Sequence, residues 1–416
     1  MNGLLIFLGS SVYLCGSYLV WPSRYNITAH LNIAFVFIAF FVPAIILNNY
    51  EEYSPDIVDL YVQLLTVGGI CYVIGLFIGF NIKPWRTSLS FDVLSSAMYS
   101  KRVVNVTAIM LILAIAGESF GYLLMGYVPM FAADPLAAKF FRNQYAVPFY
   151  VSIIYLSSFF VLSTLVPISL MIWYQDKKKV FFLILSFLAV SLMMMSLARS
   201  AAFSGIILFV AVIMSFKNKK TFFLFIILIF CAYGFSSVFY FITGIRNFTD
   251  VGFKTDHIFW RVLSSGTIDI DDQLNFLTYF DKNPEWTYGR TVYGGLIPSH
   301  YFWNPAVYTL RVVNPGSDLN TLISGGLRLP APIWGYVSFQ WPGVVMFCFL
   351  SGMIKGMMAK FTKHWVSKHK TLLIIVIVMA INIFVFEPAC YFFVMSNYSI
   401  PPLILMLFYM YRIKLK

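Results

Sequence analysis

Arg199, Arg246, Arg290 and Arg328 are the side chains in this sequence best suited to holding an anion. A guanidinium presents a planar fork of N–H donors that can meet two phosphate oxygens at once. Arg199 stands in Ser196-Leu197-Ala198-Arg199-Ser200-Ala201, at the tip of a tight turn between two apolar runs. A charge at that depth is costly unless it is paired or hydrated, so it either snorkels to lipid headgroups or binds an anion. Arg246, in Gly244-Ile245-Arg246-Asn247, and Arg328, in Gly325-Gly326-Leu327-Arg328-Leu329-Pro330, mark the two ends of a long polar loop. The glycines beside Arg328 allow backbone to approach a ligand closely. Arg290 and Arg311 lie deeper in that loop, where a surface salt bridge is the simpler use.

Candidate proton carriers are fewer. His300, in Leu296-Ile297-Pro298-Ser299-His300-Tyr301-Phe302-Trp303, titrates near neutrality and could act as a general base, with neighbouring aromatics able to stack on sugar rings; an interfacial His in an aromatic belt is the plainer reading. Glu118 sits inside an apolar run, where a carboxylate is usually functional, and could equally be a structural partner for Arg199. Glu387, in Phe386-Glu387-Pro388-Ala389, is a second candidate base or an Arg-orienting group. Asp269-Ile270-Asp271-Asp272 has the Asp-x-Asp spacing that can hold a divalent metal against a diphosphate, a weak signal by itself. No Walker loop, HExxH or CxxC occurs, and neither metal nor cofactor is expected.

The rest of the chain must position these groups in a membrane. Its 416 residues are 60% hydrophobic and 11% charged, with a mean hydropathy of +0.80. A soluble domain is about half apolar and about a quarter charged, so the excess is lipid-facing surface. Crossing a bilayer takes about 20 mostly apolar residues, and about eleven segments qualify: 2–21, 31–48, 58–80, 104–127, 148–174, 180–197, 201–216, 221–244, 335–356, 371–388 and 394–412. Nineteen of the 29 Lys/Arg fall in loops on one side, including Lys177-Lys178-Lys179 and the stretch Lys355–Lys370. Retention of basic residues in the cytoplasm puts that side inside, the N-terminus outside and the C-terminus inside. The net charge of +12 is then topological and implies no nucleic acid. None of the five cysteines falls in the long loop, so no disulfide framework staples it. The expected fold is an all-α polytopic membrane protein in three parts: spans one to eight in 1–244, a large extracytoplasmic loop in 245–334, and spans nine to eleven in 335–416.

This layout resembles the Wzy-type O-antigen polymerases, the oligosaccharide repeat-unit polymerases. The likeness in topology covers the whole chain. Likeness in sequence is confined to Gly126-Tyr127-Val128-Pro129-Met130-Phe131, the hairpin around Arg199, Gly244-Ile245-Arg246-Asn247, Leu296-Ile297-Pro298-Ser299 and the run from Gly325 to Gly335. The resemblance implies a GT-C-like fold in the bacterial inner membrane, active on its periplasmic face. It implies transfer of a growing glycan from undecaprenyl diphosphate to the terminal sugar hydroxyl of a lipid-linked repeat unit. Membrane lipid, a chain-length regulator and a flippase would be its partners. Diphosphate is a good leaving group, so such an enzyme mainly stabilises developing negative charge and orients the hydroxyl. Arg199 and Arg246, then Arg328 and Arg290, are the expected diphosphate contacts; Glu387, His300 and Glu118 are the expected acid–base groups.

Two other functions compete, and the sequence separates the first of them poorly from polymerisation. An O-antigen ligase would share the architecture and donor but hand the chain to lipid A core. A lipid-linked oligosaccharide flippase would be expected to show broken helices and several charges near the bilayer midplane, whereas Glu118 is the one deep charge here. If the resemblance holds, Arg199→Ala or Arg246→Ala abolishes polymerisation while the protein stays in the membrane fraction. Lipopolysaccharide gels paired with membrane immunoblots check this, and normal long ladders in the Arg199 variant would refute that residue's role.

Overall fold

The computed structural model describes residues 1–82, 97–242, 257–264, 269–297, 301–318, 326–368, 371–395, 397 and 400–410. Among these the chain is helical, with no strand. Seven helical segments are long and apolar enough to cross a membrane: Asn2–Leu19, Ile27–Ile46, Pro55–Asn81, Tyr99–Met125, Phe149–Gln175, Ala331–Ser367 and Leu372–Phe392. Val180–Met195, Ala201–Lys217 and Ile400–Tyr409 are shorter apolar helices, and a further helix covers Lys219–Ile242. Helices therefore stand at each of the expected spans. Large apolar side chains cover their outer surfaces, with Leu123 78% and Phe187 76% exposed. Exposure on that scale belongs to a protein whose surface meets hydrocarbon. The chain is a polytopic membrane protein.

Two compact units divide the chain. The first comprises residues 1–82, 219–360 and 388–395; the second comprises 83–218, 361–387 and 396–416. In the first, the helix Pro55–Asn81 and the later part of Ala331–Lys368 meet through matched glycines. A methyl group on Gly75 or Gly79 would collide with the backbone of Phe349 or Met353, and one on Gly352 or Gly356 with the backbone of Tyr72 or Leu76. Gly75-Leu-Phe-Ile-Gly79 and Gly352-Met-Ile-Lys-Gly356 thus place small residues one helical turn apart on both partners. Where lipid is as apolar as any side chain, such close backbone approach is what drives helices together. Lys360 Nζ then donates to the carbonyls of Asn81 (3.4 Å) and Ile82 (3.0 Å), satisfying acceptors at the end of the Pro55 helix.

The ninth expected span departs from a plain helix. Ala331–Lys368 is broken at Phe339 (φ −145°, ψ 26°) and Gln340 (φ 56°, ψ −143°). Gln340 occupies backbone space normally left to glycine. Across the break the backbones of Gly335 and Gly343 touch, and a side chain on either would strike the other's carbonyl. The loop secures the short segment before the break: the Thr287 N–H donates to the Val337 carbonyl at 2.9 Å, and the Thr287 and Ser338 hydroxyls lie 2.8 Å apart.

The long loop contains helices of its own, at Ile258–Ser264, Asp269–Lys282, Arg290–Gly294 and Pro305–Val313. In Asp269–Lys282 three acids occupy the first turn and Lys282 the last, matching the helix dipole. Asn283-Pro284 follows and cannot continue it. Its apolar face (Ile270, Leu274, Leu277 and Phe280) shares one core with Ile6, Phe40, Tyr61 and Trp334 of the membrane helices. The loop is therefore packed into the first unit as part of its core.

In the second unit, Ala97–Met125, Phe149–Gln175, Val180–Met195 and Arg199–Lys217 pack against one another. Gly205 fits against Pro167, which lies inside the Phe149 helix.

Glycine positions supply a paired test. Gly75→Ala and Gly352→Ala each push a methyl into backbone and should destabilise the purified protein by about 1–3 kcal/mol. Gly69→Ala meets nothing within 4 Å and should stabilise it by up to ~1 kcal/mol through helix propensity. Thermal unfolding in detergent distinguishes them; equal melting temperatures for all three variants would refute the close crossing.

Candidate functional site

Arg328 is the expected anion contact whose surroundings are most completely defined. Its Nε lies 3.3 Å from Asp269 Oδ1. The two groups are close enough to be an ion pair, but they are not aligned as a hydrogen bond, and among the described residues neither Asp269 oxygen has a hydrogen-bond partner in another side chain. The Arg328 backbone N–H lies close enough to the Asp272 carboxylate to favour its charged form. Gln273 Nε2 donates to the Arg328 carbonyl at 3.3 Å, and Gln273 Oε1 accepts from the Tyr61 hydroxyl at 2.5 Å. Asp269, Asp272 and Gln273 are spaced i, i+3, i+4, the spacing that places residues on one helix face. One face of the helix Asp269–Lys282 thus holds the side chain, the N–H and the carbonyl of a single residue. The Arg328 side chain is 42% exposed, and among the described residues neither terminal nitrogen donates a hydrogen bond.

Burial governs the acids here. Asp269 is fully enclosed, which raises its carboxyl above the usual range while the neighbouring Arg328 pulls it down. Asp272 is pushed up to about 6 by burial and by Asp269, against the opposing pull of Arg328 and its N–H. Asp271 also rises to about 6, chiefly through burial, then through Glu52; an Asn49 side-chain hydrogen bond and Arg261 oppose the rise. The Tyr53 hydroxyl reaches the Asp271 carbonyl at 3.4 Å. The acidic turn at 49–56 and the Asp-x-Asp stretch therefore form one cluster. Asp269 faces a guanidinium, and among the described residues no three His, Cys, Asp or Glu side chains converge to hold a metal ion.

Other loop arginines have different surroundings. Arg311 Nη1 binds Glu285 Oε1 at 2.9 Å, and its guanidinium covers the Phe302 ring at 3.2 Å from the centroid. The salt bridge expected there is present. Arg290 is exposed and lies 4.9 Å from the Trp303 ring centre, with no carboxylate partner among the described residues. Trp303 thus lies within cation–π reach of both Arg290 and Arg311, at 5.7 Å from the latter. Arg246, His300 and the Arg199 side chain lie outside the described residues; the Arg199 backbone opens the helix Arg199–Lys217.

Glu118 belongs to the second unit and is fully buried. Its Oε1 accepts from the Tyr122 hydroxyl at 3.4 Å, its Oε2 has no hydrogen-bond partner among the described residues, and Tyr122 also reaches the Leu192 carbonyl at 2.8 Å. The Tyr155 ring packs edge-on against Tyr122, 5.5 Å between ring centres, with Ser196 close to its hydroxyl. The sequence singles out the carboxylate; Tyr122 lies beside it by i, i+4 spacing on the same helix, whereas Tyr155 and Ser196 come to it through helix packing. Glu387, half-buried, opens the helix Glu387–Phe392. The structure thus brings Arg328 together with Asp269, Asp272 and Gln273, and Glu118 together with Tyr122, Tyr155 and Ser196. Among the described contacts none joins Arg290 to Arg328.

No family model, curated protein or solved structure matches this chain.

The raised acids set a pH dependence. A carboxyl whose folded pKa exceeds its ordinary value contributes stability that is full below that ordinary value and lost as pH rises through the folded pKa. For Asp271 and Asp272 the window runs from the ordinary 3.8 up to about 6. Protection of the loop from protease should therefore be greater at pH 5 than at pH 7, and the double variant Asp271→Asn/Asp272→Asn should lose most of that difference. An unchanged pH response in the double variant would refute the assignment.

Proposed function

We propose that this protein is a membrane glycosyltransferase that polymerises lipid-linked oligosaccharide repeat units on the periplasmic face of the bacterial inner membrane, with about eleven spans. The acceptor's terminal hydroxyl attacks the anomeric carbon of the donor glycan. The bond from that carbon to the diphosphate oxygen breaks, and undecaprenyl diphosphate leaves while a base takes the hydroxyl proton. The observation carrying this reading is Arg328: a guanidinium held where the loop enters a membrane helix, with neither terminal nitrogen donating a hydrogen bond among the described residues. One preorganised donor aimed at developing negative charge is worth on the order of 10²–10³ in rate.

Exposed Arg290 beside Trp303 supports the reading with a second cation on an aromatic surface suited to a sugar face. Arg199 and Arg246 are assigned to the same diphosphate through the family resemblance. Glu387 and His300 are the proposed bases. Glu118, fully enclosed among phenols, would need a helix to move before it touched substrate, and is assigned to proton storage or packing.

A transporter of the same lipid-linked glycan is the second reading. The break at Phe339–Gln340 and the π-helical stretches Phe37–Ile46 and Asn382–Phe386 favour it, because discontinuous helices commonly line transport sites. The broken helix, however, opens directly from the loop that carries Arg328, which suits an interfacial reaction better than passage through the midplane.

Deleting the gene and running lipopolysaccharide on a gel tests the proposal. Core capped by a single repeat unit is expected. Core without any repeat would overturn polymerisation in favour of ligation or transport.

A further inference from the structure

Three residues of one short helix converge on Arg328, and each holds a different part of it. Asp269 pairs with Nε at 3.3 Å, Gln273 donates to the backbone carbonyl at 3.3 Å, and the Asp272 carboxylate stands near the backbone N–H. Gln273 is in turn held by the buried hydroxyl of Tyr61 on the Pro55 helix. Asp269 and Gln273 are themselves fully buried. Such burial is unfavourable for a carboxylate unless a cation answers it.

The orientation of the guanidinium follows from which nitrogen is engaged. The ion pair with a buried carboxylate draws Nε toward the helix and leaves the edge formed by the two terminal nitrogens without a hydrogen-bond acceptor among the described residues. That edge carries four N–H donors and matches two oxygens of a phosphate or of adjacent phosphates. A free arginine would lose rotamer entropy on binding such a ligand; one already held at Nε and on both sides of its backbone loses less.

We propose that the Asp269–Asp272–Gln273 face of the helix Asp269–Lys282 is a positioning device for Arg328, presenting the terminal guanidinium edge to the diphosphate of the lipid-linked donor. This rests on the glycosyltransferase reading and adds to it the residues that orient the cation. Asp269 acts through Arg328 and does not touch the reacting atoms. The face comes at an electrostatic cost, since two carboxylates stand beside one cation. Its benefit is geometric, and this distinguishes it from a simple basic patch.

The test uses the full chain in detergent, with inorganic pyrophosphate as the binding probe and polymerisation of lipid-linked repeat units as the activity. Arg328→Ala should weaken pyrophosphate binding at least tenfold. Asp269→Asn should weaken it about tenfold and raise KM for the diphosphate-linked donor by a similar factor, with kcat changed less than threefold. Asp269→Glu, which keeps the charge, should recover a substantial part of the loss. Gln273→Leu, which leaves every charge in place, should repeat the KM effect in milder form. Size-exclusion profiles and melting temperatures confirm that each variant is folded, and the Gln273 variant serves if the Asp269 variants are not.

The outcomes separate the two claims. Binding that falls in Arg328→Ala yet stays the same or tightens in Asp269→Asn and Gln273→Leu overturns the positioning role alone, and marks Asp269 as a competitor for the cation. An unaltered protein that binds no pyrophosphate, or binds it equally well after Arg328→Ala, overturns the diphosphate reading of Arg328 and the positioning role with it.

Discussion

A peptide group in hydrocarbon has no water to bond, and this single constraint orders the whole molecule. It makes each crossing helical, since only a helix satisfies its own backbone within one segment. It also removes the usual reason for helices to associate, because lipid tails are as apolar as leucine. What remains is contact at close range, and the first unit obtains it from glycine. Gly75 and Gly79 lie against Phe349 and Met353, while Gly352 and Gly356 lie against Tyr72 and Leu76. Lys360 then ties off the end of one partner by taking carbonyls that would otherwise lack donors.

The same constraint explains why the polar residues collect where they do. Charge is rare in the spans and collects in the segments that join them, with most of the acids outside the apolar runs and several in the loop between residues 244 and 335. Once the loop helix Asp269–Lys282 packs its apolar face into the membrane-helix core, its acidic first turn is carried under cover. Asp269 then needs a cation, and Arg328 supplies it. The local electrostatics follow from the packing: burial raises the acids, and the guanidinium restrains the rise.

Much of the membrane architecture was legible in the sequence, because long apolar runs have few alternatives. Helices stand at 58–80, 104–127 and 148–174 as the hydropathy requires. The loop was less legible. Asp269, Ile270, Gln273, Leu274, Leu277 and Phe280 carry a helical period, but a reading focused on charge saw an exposed Asp-x-Asp and weighed a metal. That Asp269 is buried against Arg328, some sixty residues later, depends on tertiary packing that no local pattern encodes. The Gly-x-x-x-Gly pairs were readable by spacing, but their partnership was not, since nothing local says which two helices cross. The break at Gln340 lacked even a glycine to announce it; Pro342, two residues on, was the available cue. Glu118 stood out because a lone acid in an apolar run is conspicuous, whereas Tyr122, Tyr155 and Ser196 were hidden among many similar residues.

The link from Thr287 to Val337 and Ser338 bears on biogenesis. The segment before the break relies on donors some fifty residues upstream, on the far side of the loop. A nascent chain leaving the insertion machinery with residues 331–368 would therefore lack those donors until the preceding loop had folded. Folding of that stretch becomes a prerequisite for seating the segment before the break, so that a truncated loop leaves it without an anchorage, however hydrophobic it is.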